Sequence, residues 1–371
     1  MNILFNASNL KVGGGLQVAD SLIKELYKFP QHHFIVVLPT ALLYLQESIS
    51  DVQNIVFRHY DMRASLWNIL SGRNTVLDAL VKENRVEAVL SVFGPTIWTP
   101  EVRHLCGFAI AHLCNPESPF LTQMKIKQRL AKINLRKFLI NKNSDVYYTE
   151  SRYISERLKK LFPKKWVFTV TNTYNQVFDN PDNWDRTVTL PGFSGVTLLT
   201  IAACYPHKNY SIIPKVTDYL MAHHPGFQFR FVVTITKEDM PEVGDMALSH
   251  VVFLGKVNIR QCPHLYEQSD FMFLPTLLEC FSANYAEAMK MEVPILTSDL
   301  GFASYLCGDA AEYFNPMDAA SIGECIFNLS NNKKRQADMI DSGKEMLRQF
   351  DNAESRAQKL MEIIESGDCK L

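Results

Sequence analysis

The stretch Asp270–Met289 reads D-F-M-F-L-P-T-L-L-E-C-F-S-A-N-Y-A-E-A-M. Asp270–Leu274 is a short, mostly apolar run closed by Pro275, which suits a buried strand and its exit. Ser282 is a good N-cap and Ala283–Lys290 are mostly strong helix formers, so a helix is expected to start near Ser282. That leaves Glu279 in the loop above the strand end and places Glu287 in the second helical turn. The helix N-terminus between them, with its N–H groups and the positive end of its dipole, favours a phosphate. Glu287 can accept hydrogen bonds from two sugar hydroxyls and Glu279 can orient a second sugar, so the implied ligand is a nucleotide sugar. The same spacing also suits two solvated acids at a helix start, where carboxylates are favoured.

Outward from this stretch, short apolar runs alternate with amphipathic ones. Strands are expected at Asn2–Phe5, His33–Leu38, Ala88–Phe93, Gly107–Leu113, Val146–Thr149 and Val167–Val170, with helical spacing over Leu16–Phe29 and Thr75–Asn84. A polar run, T-Y-N-Q-V-F-D-N-P-D-N-W-D-R, follows Asn172 and has turn chemistry. Strands are expected again at Thr197–Ala203, Phe229–Thr234, Val251–Leu254, Phe271–Leu274 and Ile295–Thr297. This is an α/β pattern of two doubly wound parallel sheets. The expected division is 1–172, a linker over 173–190, 191–350, and a terminal helix within 351–371. Ligands of open α/β sheets bind outside the carboxyl ends of the strands, so both domains can face one cleft.

The 371 residues are 47% hydrophobic, enough for two cores, and the net charge of −1 gives no global field for nucleic acid. No apolar run reaches the ~18 residues of a membrane span. The N-terminus opens on a strand without a basic leader, so a cytoplasmic protein is expected. The eight cysteines form no C-x-x-C pair and no ligand-like grouping with the ten histidines. No metal, cofactor or disulfide is expected.

Several residues in this C-terminal half resemble the retaining glycosyltransferases of family 4. The carriers are Glu279 and Glu287 with seven residues between them, Lys208 in Y-P-H-K-N, the strand-turn Phe253-Leu254-Gly255 and the strand Pro294–Ser298. The resemblance implies the GT-B architecture of two Rossmann-like domains, with the final helix, Asn352–Glu365, crossing back to the first. It implies a nucleoside-diphosphate sugar of UDP or GDP type as substrate and metal-independent transfer with retention. Lys208 would bind the diphosphate, Glu279 position the transferred sugar, and Glu287 hold the ribose. Phe281 and Ser282 would complete the donor pocket. Gly13-Gly14-Gly15, after the first strand, resembles the loop that closes over donor phosphates; the run lacks the spacing of a P-loop or a dinucleotide fingerprint and also fits a flexible turn. His112 resembles the histidine that contacts the donor sugar, and also fits a core histidine after an apolar strand.

Three departures from the family pattern stand out. Ala202-Ala203 occupy the region where many members carry an arginine, with His207 as a candidate substitute. Cys280 and Ser282 replace the glycines flanking Phe281. Gly301–Tyr305 replaces a glycine-rich loop. The acceptor side is expected near Asn115 and Glu117, beside a basic stretch, Met124–Lys142, that includes Lys125, Arg129, Lys132 and Arg136 and no acid. Such a stretch fits either a solvated helix face or an anionic membrane surface. The resulting expectation is a glycosyltransferase, peripheral on the inner membrane, that extends a glycan or polyprenyl-diphosphate-linked glycan in surface-polysaccharide (O-antigen or capsule) synthesis. A nucleotide-sugar epimerase of the same architecture and a non-catalytic nucleotide-sugar or membrane-surface binding protein are the alternatives.

Overall fold

A computed structural model describes residues 1–11, 13–49, 52–124, 126–240 and 248–367, with the side chains of 126 and 132 also outside the description. The described residues form two parallel sheets. The first has seven strands: β1 (Asn2–Asn6), β2 (His33–Leu38), β3 (Ile55–His59), β4 (Ala88–Gly94), β5 (Arg103–Phe108), β6 (Val146–Thr149) and β7 (Trp166–Thr169). Their order is β3-β2-β1-β4-β5-β6-β7. The second has six: β8 (Val196–Thr200), β9 (Phe229–Val233), β10 (Val251–Phe253), β11 (Phe271–Leu274), β12 (Ile295–Ser298) and β13 (Ala311–Phe314), in the order β10-β9-β8-β11-β12-β13. The chain divides into one unit of Met1–Cys114, Met124–Asn172 and the segment from Asp351, and a second of Asn115–Gln123 and Thr173–Phe350.

In the first unit the central strands are mostly apolar on both sides because both faces are covered. Ile3 and Phe5 of β1 face one core with Phe34, Val36, Leu90 and Val92. Leu4, one residue out of step, faces the other core with Ile35, Val37, Val89 and Trp98. The terminal helix Ala353–Glu365 completes the first of these through Ala357, Leu360, Met361 and Ile364. It is pinned by Arg356, which donates to Glu150 Oε1 at 3.0 Å and Asn172 Oδ1 at 2.5 Å. Asp351 accepts from the backbone N–H and hydroxyl of Thr171 at 2.9 and 2.8 Å.

Three differences from the sequence expectations have local causes. The strand expected over Gly107–Leu113 runs instead over Arg103–Phe108, and Ala111–Cys114 turn into a short helix. Gly107 lets β5 pass close to β4, since a Cβ there would lie 1.9 Å from the Val92 carbonyl oxygen. Strands β3 and β13 are edge strands with mixed polarity, I-V-F-R-H and A-E-Y-F, which hid them from a search for apolar runs. The stretch expected as a linker, 173–190, is fastened to the second unit. Arg186 pairs with Glu267 at 2.5 Å, Lys290 with Asp179 at 2.6 Å, and the Asp185 N–H donates to the Arg260 carbonyl at 2.8 Å.

A buried polar chain crosses the first sheet. His104 Nδ1 lies 2.9 Å from the Asn143 carbonyl and Nε2 lies 2.9 Å from Ser91 Oγ, which in turn accepts from Asn6 Nδ2 at 3.2 Å. Burial pushes the His104 pKa down to about 4, against the smaller opposing effect of the Asn143 carbonyl. The folded state therefore holds a neutral imidazole where the unfolded chain takes up a proton below about 6.5. Stability from this residue is complete above that value and is lost as pH falls through 6.5 towards 4, by up to about 3 kcal/mol. Urea unfolding of His104→Gln at pH 5 and pH 7.5 is expected to show a smaller loss on acidification than the parent; an unchanged acid slope would refute the assignment.

Candidate functional site

In the second unit the strand order reverses between β8 and β11, since β9 lies on one side of β8 and β11 on the other. Loops at the carboxyl ends of two such strands diverge and leave room for a ligand. Lys208 follows β8 and Glu279 follows β11.

The two loops are tied together. The Leu277 N–H donates to the His207 carbonyl at 2.7 Å, and the Thr276 hydroxyl lies 3.2 Å from the same oxygen and 2.8 Å from Glu279 Oε1. Lys208 Nζ meets Glu279 Oε1 at 2.5 Å, with each side chain only 12% and 11% exposed. The turn Pro206–Lys208 ends on Asn209 at φ +58°, a conformation that Asn tolerates better than most residues. Asn209 Nδ2 holds that turn by donating to the Pro316 carbonyl at 2.9 Å.

The carboxylate loop is also braced from Asn115–Gln123. Asn115 Nδ2 donates to the Glu279 carbonyl at 3.0 Å and Ser118 Oγ to the Leu277 carbonyl at 2.6 Å. Asn115, expected on the acceptor side, is therefore buried behind Glu279. These two bonds explain why Asn115–Gln123 groups with the second unit although the sequence placed it in the first domain. Glu117 is exposed.

Glu287 occupies the helix Ala283–Lys290 and is buried. Its Oε2 accepts from the Tyr266 hydroxyl at 3.0 Å and Asn284 Nδ2 at 3.2 Å. Burial pushes its pKa up to about 7, while the two donors and, to a smaller degree, the charge of Lys208 act to lower it. Ser282 takes the N-cap position, but its hydroxyl lies 3.3 Å from Asn284 Oδ1 and caps no backbone N–H. Phe281 meets Phe350 edge-on with ring centroids 5.6 Å apart.

His207 was the candidate substitute for the missing arginine. Its ring stacks on Tyr205 at 5.6 Å and meets Phe120 edge-on at 5.9 Å. Burial lowers its pKa, more than Glu279 raises it, and Lys208 lowers it further. The imidazole is thus neutral at pH 7, leaving Lys208 as the cation of this loop pair.

The remaining expected residues lie in the first unit. Gly13–Gly15 follow β1, next to the point where that sheet's order reverses between β1 and β4; Gly13 has φ +79° and caps the helix Gly14–Ile23. His112 sits half-buried in the short helix after β5. Of the basic stretch, Arg129 is half-buried and Arg136 exposed on the helix Ile126–Asn143, while Lys125 and the Lys132 side chain lie outside the described residues. Sequence reading missed Thr276, Tyr266 and Asn284. Two of them had a signal: Thr276 and Asn284 each stand three residues before the glutamate they bond. Tyr266 comes from another helix and had none. Among the described residues no group of three or more His, Cys, Asp or Glu is placed to hold a metal, and no helix is long and apolar enough to cross a membrane.

Residues 197–346 match the family model of glycosyl transferases group 1. Among solved structures, a glycosyltransferase from Rickettsia africae is 12% identical, with a TM-score of 0.69 over 98% of each chain. Anabaena Alr3699/HepE, in complex with UDP-glucose, is 13% identical with a TM-score of 0.68 over 99% of this chain and all of its own. WaaG, a glycosyltransferase involved in lipopolysaccharide biosynthesis, gives the same identity, score and coverage. No curated protein matches the chain. The fold is GT-B, two Rossmann-like domains with parallel sheets.

Proposed function

We propose that this chain is a retaining, metal-independent glycosyltransferase of family 4. It moves a sugar from a UDP- or GDP-type donor to a glycan or lipid-linked glycan in bacterial surface-polysaccharide synthesis. The observation that carries the reading is the Lys208–Glu279 ion pair, buried at Glu279 and part-buried at Lys208, between the loops at the switch point of the second sheet. A charge pair largely withdrawn from water is a weak source of stability, so its place at a ligand-binding position is better explained by chemistry.

In this reading Lys208 neutralises the diphosphate as the glycosidic C–O bond breaks, the moment at which charge develops on the leaving oxygen. Glu279, held by Thr276 and Lys208, orients the transferred sugar. Glu287, already set by Tyr266 and Asn284, accepts from the ribose hydroxyls. The departing diphosphate takes the acceptor proton on the same face of the sugar, which gives retention. Gly13–Gly15 and His112 keep the roles implied by the family resemblance, as phosphate loop and sugar contact. The UDP-glucose held by the HepE structure supports a nucleotide-sugar donor.

Thermal unfolding against UDP-, GDP- and dTDP-sugars tests the donor site. A donor at a hundredfold excess over its Kd stabilises the folded state by about 2.7 kcal/mol. A rise in Tm with one nucleotide class, absent in Glu287→Ala, is expected. No rise with any member would reject the donor site, and an inverted product anomer would reject retention.

A further inference from the structure

The helix Leu66–Ser71, L-W-N-I-L-S, is mostly apolar and buries none of its residues. Leu66, Trp67 and Leu70 lie on one side of it, at 80%, 58% and 70% exposure. It is held as a helix by its ends: Ser65 accepts from the Asn68 N–H, and Gly72 closes it at φ +75°. A patch of this kind, rimmed by polar residues, marks an interaction surface.

The patch continues onto the helix Ile126–Asn143. Lys142 Nζ donates to the Leu70 carbonyl, and the Thr99 N–H donates to the Gly72 carbonyl at 2.7 Å. A Cβ on Gly72 would lie 3.0 Å from Lys142 Cε. Lys142 Nζ in turn stands 5.7 Å from the centre of the Phe138 ring. That helix buries Leu139 and Ile140, yet Leu135, one turn before Leu139, and Phe138 are 47% and 46% exposed. Apolar residues therefore exceed what the core uses. Its basic residues have no acid among them, in a chain of net charge −1.

We propose that these two helices form one docking surface for an anionic lipid bilayer, with Trp67, Leu70 and Phe138 entering the interfacial layer and the lysines contacting lipid headgroups. Trp suits the boundary between headgroup and acyl chain, and lysines carry an apolar stem to the same depth while keeping the charge in water. A second copy of this chain is the other occupant an apolar face can have. Pairing two such faces would oppose lysines to lysines, whereas an anionic bilayer supplies the complementary charge. The surface deepens the lipid-linked-acceptor reading above and rests on it for its purpose.

The test uses the full chain with vesicles of phosphatidylcholine and with vesicles of equal phosphatidylcholine and phosphatidylglycerol, at low salt. Binding is expected only to the second kind. It should fall by about tenfold or more in Lys127→Glu with Lys137→Glu, and likewise in Trp67→Ser with Leu70→Ser. Both pairs are surface changes and should keep the nucleotide-sugar Tm rise, so loss of that rise in the parent would count against the donor site alone. Absence of vesicle binding, or binding that both pairs leave intact, overturns the proposal. Concentration-dependent dimers abolished by Trp67→Ser with Leu70→Ser, without vesicle binding, would overturn it in favour of self-association.

Discussion

Replacing Lys208 with Ala is expected to lower kcat by about a hundred- to a thousandfold, the usual loss when one group aimed at developing charge is removed. The same change should destabilise the second unit by about 3 kcal/mol, because it leaves Glu279 buried without its partner. These two effects have different origins and can be separated. In Lys208→Ala with Glu279→Gln the buried charge is gone, while the amide oxygen still accepts from the Thr276 hydroxyl. Most of the lost stability should return and none of the lost turnover. A double-mutant cycle on denaturant unfolding, read beside single-turnover kinetics, checks both. If Lys208→Ala turns over within tenfold of the parent, Lys208 does not stabilise the leaving group. If the double variant is no more stable than the single, the desolvated carboxylate is not the source of the loss.

The strands that carry this site could be read in advance because parallel sheets covered on both faces leave unmistakable apolar runs. Phe271–Leu274, which leads into Glu279, falls where expected, and the helix after Ser282 begins where its formers begin. The edges were not legible in this way. β3 ends on Arg58 and His59, and β13 is A-E-Y-F, because an edge strand covers one side only and mixes polar with apolar residues. Length of apolar run also misled at Phe108–Leu113, where continued hydrophobicity concealed the end of β5. The backbone there turns back on itself, with the Leu113 N–H donating to the Ile110 carbonyl at 3.2 Å.

Within the site, ligand-facing acids could be found from spacing, but their supports could not. Glu279 is set by a hydroxyl nearby in sequence, a lysine from another strand end and an amide from Asn115, and only the first is local. Asn115 shows the consequence: read on its own, a polar residue after a strand suggests an acceptor contact, whereas in the fold it is a buried brace. His207 shows the converse, a residue whose identity suggests a cation and whose aromatic surroundings make it neutral. Identity gives the chemistry available to a side chain, and long-range contacts decide which of its states is used.

Glu287 should give the clearest pH signature, because its stability effect and its binding effect run in opposite directions. Its folded pKa is raised from 4.5 to about 7, chiefly by burial. Between those values unfolding releases a proton, so stability from this residue is complete below 4.5 and is lost as pH rises to about 7, by roughly 3 kcal/mol. Glu287→Gln removes the titration, so it should unfold later than the parent at pH 8 and differ little at pH 4.5. Donor binding should show the reverse trend. Ribose hydroxyls donating to the carboxyl favour its ionised form, so affinity should climb about tenfold per unit as pH rises towards 7 and level off above it. In Glu287→Gln affinity should be weak and flat. Calorimetric titration with the donor at pH 5.5, 6.5 and 7.5, beside unfolding at the same values, measures both arms. A parent whose donor affinity does not change over that range would show that the carboxyl is not the ribose acceptor, and a glutamine variant no more stable at pH 8 would show that its charge is not costly in the fold.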